Sequence, residues 1–490
     1  MLNQNQTPLL DALKACADRF HAPFYTPGHK RGTGIAQPLA DLLGTKIFRA
    51  DLTELADLDN LFAPQGVIQA AQQLAAEAFG ASQTWFLVNG STCGIEAAIL
   101  ATCGMGDKII LPRNVHSSAI AGLILSGAIP IFLNPEYDPV LDIAHSITPN
   151  AVESALQQHP DAKAVLTVYP TYYGVCGDLS AIAHITHQYN IPLLVDEAHG
   201  AHFAFHPELP TPALAAGADL TVQSIHKVLG AMTQASMLHI QGDRIDCDRI
   251  SKALQLVQST SPSYLLLASL DAARQQMALH GKMLMSRTLQ LANEARTKIS
   301  QIPGLSVLQN PGGLGESPGF LALDETRLTV TVSGLGLSGF EADEILDEKL
   351  AVIAEFASLQ HLTFIISLGN TTADIKQLVQ GLTALAKEYR RTNLTLTNPH
   401  WQNLLTTRGH ALHFSPREAF FAVSEILPLA QTSDRICAEI VCPYPPGIPV
   451  LMPGEVITNP VLDYLQQIQA MGGFISGCND TSFQTLKVVK

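Results

Sequence analysis

Apolar and polar positions follow two different periods along this chain, and the switches between them outline its elements. Helical spacing holds through IQAAQQLAAEAFG (68–80), which leads to the short apolar run TWFLVNG (84–90) and a second helical stretch, STCGIEAAILATC (91–103). The alternation continues with the run KIILP (108–112), helical HSSAIAGLILSG (116–127) and the run IPIFL (129–133). Later runs are AVLTVYP (164–170), IPLLVDEAHG (191–200) and LTVQSIHK (220–227), with helical stretches between several of them. Short runs that are apolar throughout suit strands buried on both faces, so the pattern predicts a mostly parallel sheet covered by helices. In such sheets ligands bind at the carboxyl ends of strands. Polar residues that close a run are therefore the first candidates for chemistry.

The flanks read differently. Thr7 to Phe20 predicts a short helix, which the Pro- and Gly-rich FYTPGHKRGTG (24–34) breaks. DLTELADLDNLFAPQG (51–66) carries many acids and no clear period. Near residue 290 a long helical run ends at IPG, and the loop NPGGLGESPG (310–319) follows. LTVTVSG, FEADEILDEKLA, LTFIISLG and a helix to about Tyr389 then predict a small α+β arrangement. A chain of 490 residues is too long for one ordinary core. The expected division is an arm over 1–60, a large α/β domain over 61–290 and a smaller C-terminal α+β domain over 291–490.

Composition narrows the function classes. Apolar residues make up 47% and charged residues 15%, which implies much buried surface, and a homo-oligomer would bury more. A net charge of −14 argues against non-specific binding of nucleic acid or anionic lipid, since both need clustered Lys and Arg. No apolar run is long enough to cross a bilayer. The N-terminus lacks a basic segment followed by an apolar one, so no signal peptide is expected. The eight cysteines form no CxxC pair and have no zinc-like His spacing; they fit free thiols in a reducing cytoplasm, and no metal site is expected.

Four motifs close successive runs. Ser224-Ile225-His226-Lys227 follows LTVQ; a lysine there in an apolar setting loses its proton more easily and can form a Schiff base. An isolated lysine is far more often a solvated surface residue. Asp196 ends IPLLVD, where a carboxylate could hold the protonated nitrogen of a pyridine ring, although Asp after a strand is also a common cap. Ala198, two residues on, is small enough to let a ring pack closely. Gly90-Ser91-Thr92 opens a helix after TWFLVN, so backbone N–H groups and two hydroxyls could cradle a phosphate; an ordinary Ser/Thr cap is the plainer alternative. There is no GxGxxG at this turn and no Walker sequence. His116 follows KIILPRNV and could stack on a ring or give up a proton, where a structural histidine is the bland alternative.

The order phosphate turn, stacking His, Asp and Lys resembles a fold-type I pyridoxal-phosphate enzyme of the aspartate aminotransferase-like kind. In particular the sequence resembles the Orn/Lys/Arg decarboxylase family. FYTPGHKRG, DLTEL, VNGSTCGIEAAI, PRNVHSSAIAGLILSGA, PTYYGVCGDL, VDEAHGAHF, SIHKVLGAMTQASMLHI, SGLGLSGFEA, FSPREAFFA and PYPPGIPVLMPGE carry the likeness from residue 24 to residue 455. It implies that Lys227 holds pyridoxal phosphate as an imine and that Asp196 partners the pyridine nitrogen. His116 and Ala198 would lie on the two faces of the ring. Ser91, Thr92, Ser224 and His226 would bind phosphate, with His199 close to the cofactor. Two departures stand out. Ser117 replaces the Lys that relatives often carry after the stacking His, and the chain has no room for the N-terminal wing domain of the larger members.

What the resemblance implies is decarboxylation of a basic L-amino acid: L-arginine to agmatine first, L-lysine to cadaverine second, L-ornithine to putrescine third. It also implies a homodimer, or a higher homo-oligomer, with the active site at the subunit interface. A different chemistry on the same fold, transamination or aldol-type cleavage, would need an Arg clamp for the α-carboxylate. A non-catalytic protein that kept the fold is disfavoured by intact Lys227, Asp196 and His116. The distal cation of a basic substrate needs a carboxylate, for which the candidates are Glu355, Asp51, Glu54, Asp57 and Glu455. Glu355 ranks first for its apolar setting, LAVIAEFASL.

Overall fold

The computed structural model describes residues 2–310, 317–389, 412–444 and 447–490. The loop expected over 310–319 lies largely outside these residues, as do two prolines of the PYPPG motif. The chain separates into two compact units, Met1–Ala101 with Val195–Met285, and Thr102–Leu194 with Ser286–Lys490.

In the first unit, strand Gln83–Leu87 pairs antiparallel with Ser236–Ile240, which pairs antiparallel with Leu220–Gln223. The middle strand, SMLHI, is an element that the apolar pattern did not single out, and its direction is an exception to the parallel arrangement predicted. All five of its residues are buried, His239 among them. Val195 and Asp196 close the strand Leu193–Asp196. Helix Val67–Phe79 ends at Gly80, whose φ of +73° is the left-handed conformation that a Cβ opposes. The helix expected over Thr7–Phe20 spans Pro8–Asp18 and buries Leu9, Leu13, Cys16 and Ala17.

The acid-rich segment before helix Val67–Phe79 is organised by one side chain. Asp59 accepts hydrogen bonds from the backbone N–H groups of Asn60, Gln65, Gly66, Ile68 and Gln69. Burial raises its pKa, but these amides outweigh burial and leave it below the ordinary carboxylate value.

The second unit contains the predicted parallel pairing: Lys108–Pro112 pairs in parallel with Ile129–Leu133 and with Ala164–Val168. Its α+β part is a four-stranded antiparallel sheet in the order Ser306–Val307, Arg327–Thr331, His361–Ile365, Phe356–Ala357. Helices Gly339–Leu350 and Thr372–Tyr389 cover it, sharing a core with Leu328, Val330, Leu362, Leu346 and Leu382. Toward the C-terminus, Ser424–Pro428 pairs with Thr485–Val489, and helix Asn459–Ala470 contributes Val461 and Leu465 to a separate core.

Candidate active site

Strand Leu220–Gln223 runs straight into the segment that carries Lys227. Ser224 precedes a single helical turn, Ile225–Val228, so the lysine stands one turn past the strand end. Ile225 and Val228 are buried, while His226 and Lys227 are half-buried on the other side of the turn. Lys227 Nζ lies 3.0 Å from His199 Nε2. For the lysine to donate, His199 must carry its proton on Nδ1.

Asp196 is buried, and its hydrogen-bond donor is the backbone N–H of Ala198 at 3.1 Å. Burial raises its pKa, and the charge of Lys227 opposes that shift. Burial, and then the Lys227 charge, push His226 down to about 4, so that imidazole is neutral near pH 7.

Gly90, Ser91 and Thr92 open helix Gly90–Thr102. The turn before it is pinned from both directions: Val88 N–H donates to Gln258 Oε1 at 2.9 Å, and Gln234 Nε2 donates to Val88 O at 2.7 Å. Ser224 Oγ donates to Ser91 Oγ at 2.7 Å, which ties the helix start to the lysine segment. The first unit thus brings together Gly90, Ser91, Ser224, His226, Lys227, Asp196, Ala198 and His199 around three strand ends, with Thr92 exposed on the first turn of the helix.

His116 belongs to the second unit. It caps helix Ser117–Ser126, accepting at Nδ1 from Ser118 N–H at 3.2 Å, which leaves the ring proton on Nε2. Ser117 N–H donates to Gly447 O at 3.2 Å, so Gly447 anchors the turn after His116.

The five candidate carboxylates have separate fates. Glu355 is exposed, a correction to the apolar setting that ranked it first. Helix Gly339–Leu350 ends at Ala351 with a left-handed φ of +51°, and in the extended stretch that follows Val352, Phe356 and Ala357 face inward while Glu355 faces solvent. Glu455 forms a two-pronged ion pair with Arg113, Nε to Oε1 at 3.1 Å and Nη2 to Oε2 at 2.9 Å. Arg113 is buried and also donates to Pro449 O and Val450 O, so Glu455 acts as an anchor for the PGIPVLMPGE segment. Asp57 pairs with exposed Arg19 at 2.7 Å, Asp51 with His29 at 3.0 Å, and Glu54 accepts from Asn60 Nδ2 at 2.9 Å.

A buried network beneath the lysine segment was missed. Glu197 accepts from Ala213 N–H at 2.8 Å, Thr221 Oγ1 at 3.0 Å and Gln223 Nε2 at 2.8 Å. Gln223 Oε1 in turn lies 3.2 Å from His239 Nε2, and Thr84 Oγ1 lies 2.7 Å from His239 Nδ1. The network crosses three strands and fixes the residue immediately before Ser224. Its sequence signals are polar residues inside or at the end of otherwise apolar runs: His239 in SMLHI and Gln223 in LTVQ.

The pattern of "Orn/Lys/Arg decarboxylase, major domain" matches residues 7–312, and that of the C-terminal domain of the same family matches residues 404–480. An arginine decarboxylase of Bacillus subtilis (strain 168) is 40% identical over 490 residues, covering 100% of this chain and 99% of that protein. Lysine decarboxylase A from Pseudomonas aeruginosa superimposes with a TM-score of 0.83 at 24% identity, over 99% of this chain and 80% of that one. A ureidoglycine-glyoxylate aminotransferase from Bacillus subtilis has a TM-score of 0.52 at 13% identity, over 67% of this chain and 86% of that one. The first likeness is of sequence along the whole length; the other two are likenesses of fold.

Proposed function

The chain belongs to the Orn/Lys/Arg decarboxylase family, and from that premise we propose that it converts L-arginine to agmatine and carbon dioxide with pyridoxal phosphate. The observation that carries the chemistry is the Lys227 amine one turn past a strand end, beside His199 and within the field of buried Asp196. The preference for arginine is supported by 40% identity over the full length to a protein named arginine decarboxylase. L-Lysine and then L-ornithine are the next substrates in order.

The residues fit the cofactor. Lys227 would hold it through Nζ. Asp196, buried and taking one hydrogen bond from Ala198 N–H, has acceptor capacity for a protonated ring nitrogen. The helix start at Gly90, with the hydroxyls of Ser91 and Thr92, suits a phosphate, and Ser224 and His226 complete that set. When bound, the cofactor supplies a pyridine ring that accepts the electron pair left by the departing carboxylate. Asp196 would keep the ring nitrogen protonated and so sustain that acceptance. Lys227 Nζ, oriented by His199, is placed to return a proton to the α-carbon. Ring stacking by His116 rests on the family likeness.

The reading carries with it a place in polyamine biosynthesis and a homodimer. The eight free cysteines fit a reducing cytoplasm. The test is amine release from arginine, lysine and ornithine, with kcat/KM compared. Arginine should give the highest ratio, and Lys227→Ala should abolish steady turnover together with the near-visible absorption of the holoenzyme. Normal turnover in that variant would sink the assignment.

A further inference from the structure

The second unit holds a cavity of about 120 Å³ that the proposed reaction does not use. One water needs roughly 10–15 Å³ of such space, so the cavity has room for a small organic molecule. Asp142, Tyr137, Tyr173, Tyr464, Asn114 and Ser358 supply its polar lining, and Phe340 and Leu359 part of its apolar wall. Asp142 sits in the short hairpin formed by Tyr137–Asp138 and Ile143–Ala144, and Tyr137 Oη donates to Asp142 Oδ1. Among the described residues no basic side chain pairs with this carboxylate. Burial raises its pKa to about 6, with the Tyr137 hydrogen bond opposing the shift.

A half-buried carboxylate without a counter-ion is costly unless a cation completes it. Tyrosine rings around it add faces that attract cations, and an apolar wall favours a short hydrocarbon chain. We propose that this cavity is a binding site for a small organic cation, a short alkyl chain ending in an ammonium or guanidinium group, with Asp142 as its counter-charge. None of the residues assigned to the cofactor lines this cavity, and the proposal stands whether or not the decarboxylase reading does.

Calorimetric titration of the full-length protein with n-butylamine, n-butylguanidine and the neutral control n-butanol tests it. Either cation should bind more tightly than butanol, and the tighter of the two identifies the head group. Asp142→Asn should weaken that binding by at least about tenfold, the loss expected when a charged hydrogen-bond partner is removed. Should Asp142→Asn fail to fold, Ala144→Leu narrows the cavity from its wall while leaving the carboxylate, and should weaken the same binding. Cation binding that is absent from the wild type, matched by butanol, or unchanged in the variants would overturn the proposal. Amines held at Lys227 would be unaffected by either substitution, so they cannot imitate the expected result.

Discussion

Asp196 and Glu197 are neighbours in sequence and both are buried, yet their surroundings give them different work. Asp196 takes one backbone hydrogen bond and sits in the field of Lys227. Glu197 takes three hydrogen bonds from groups of the strand and loop beneath it, and burial still pushes its pKa up to about 7, against those bonds. A folded-state pKa above the ordinary 4.5 means that the folded protein binds the proton more tightly than the unfolded chain. The contribution of Glu197 to stability is therefore full below 4.5 and declines as the pH rises through about 7. Glu197→Gln lacks this dependence. Chemical denaturation at acidic and at mildly alkaline pH should show the wild type losing about 3 kcal/mol relative to the variant; a constant gap would show that Glu197 stays ionised throughout. The placement of Lys227, Asp196 and Ser91 at strand ends was legible in the sequence because each stands at or just past the end of an apolar run. Glu197 was not, because its partners Ala213, Thr221 and Gln223 come together only when the strands pair. Glu355 misled for a related reason: a period-two stretch puts apolar neighbours inside and the acid outside, and composition alone does not tell the two apart.

At the scale of elements, the periodicity found the first helix to within two residues at its C-terminal end but gave no hint of what holds it. The clamp lies 262 positions away in sequence, in the long helix Tyr264–Ile299. Asp271 Oδ2 accepts from the N–H groups of Leu9 and Leu10, satisfying donors that the first turn of a helix leaves open. Arg274, fully buried, pairs with Asp271 and donates to the carbonyls of Gln4 and Gln6. Asp271→Ala removes one member of a buried pair and leaves Arg274 without its neutralising charge. The expected loss is about 3–5 kcal/mol of unfolding free energy, measured by denaturant titration. A loss below about 1 kcal/mol, the range of exposed ion pairs, would mean that the arm contributes little to the unit. Strand Ser236–Ile240 teaches the same lesson about pairing. Its apolar run was available to be read, but its antiparallel direction depends on its two neighbours.

For the molecule as a whole, the arm that Asp271 anchors also carries apolar side chains that its own unit leaves uncovered. Phe20 is 100% exposed, Phe24 93% and Leu42 78%. Single exposed apolar residues are ordinary, but two almost fully exposed phenylalanines and a leucine in one segment are an unusual cost. Cover by a second copy removes that cost, and it agrees with the homodimer expected from the family likeness. Light scattering after size exclusion should then give about twice the 52.5 kDa of one chain. Burying a phenylalanine contributes about 1.5–3 kcal/mol, so Phe20→Ser with Phe24→Ser should weaken the dimer roughly a hundredfold or more. The active site that the family likeness implies at the interface would give a second readout: amine release by the double variant should fall at low protein concentration and recover as concentration rises. A wild-type protein that is monomeric at micromolar concentration, or a double variant that keeps both its mass and its concentration-independent activity, would place the arm's phenylalanines outside the interface.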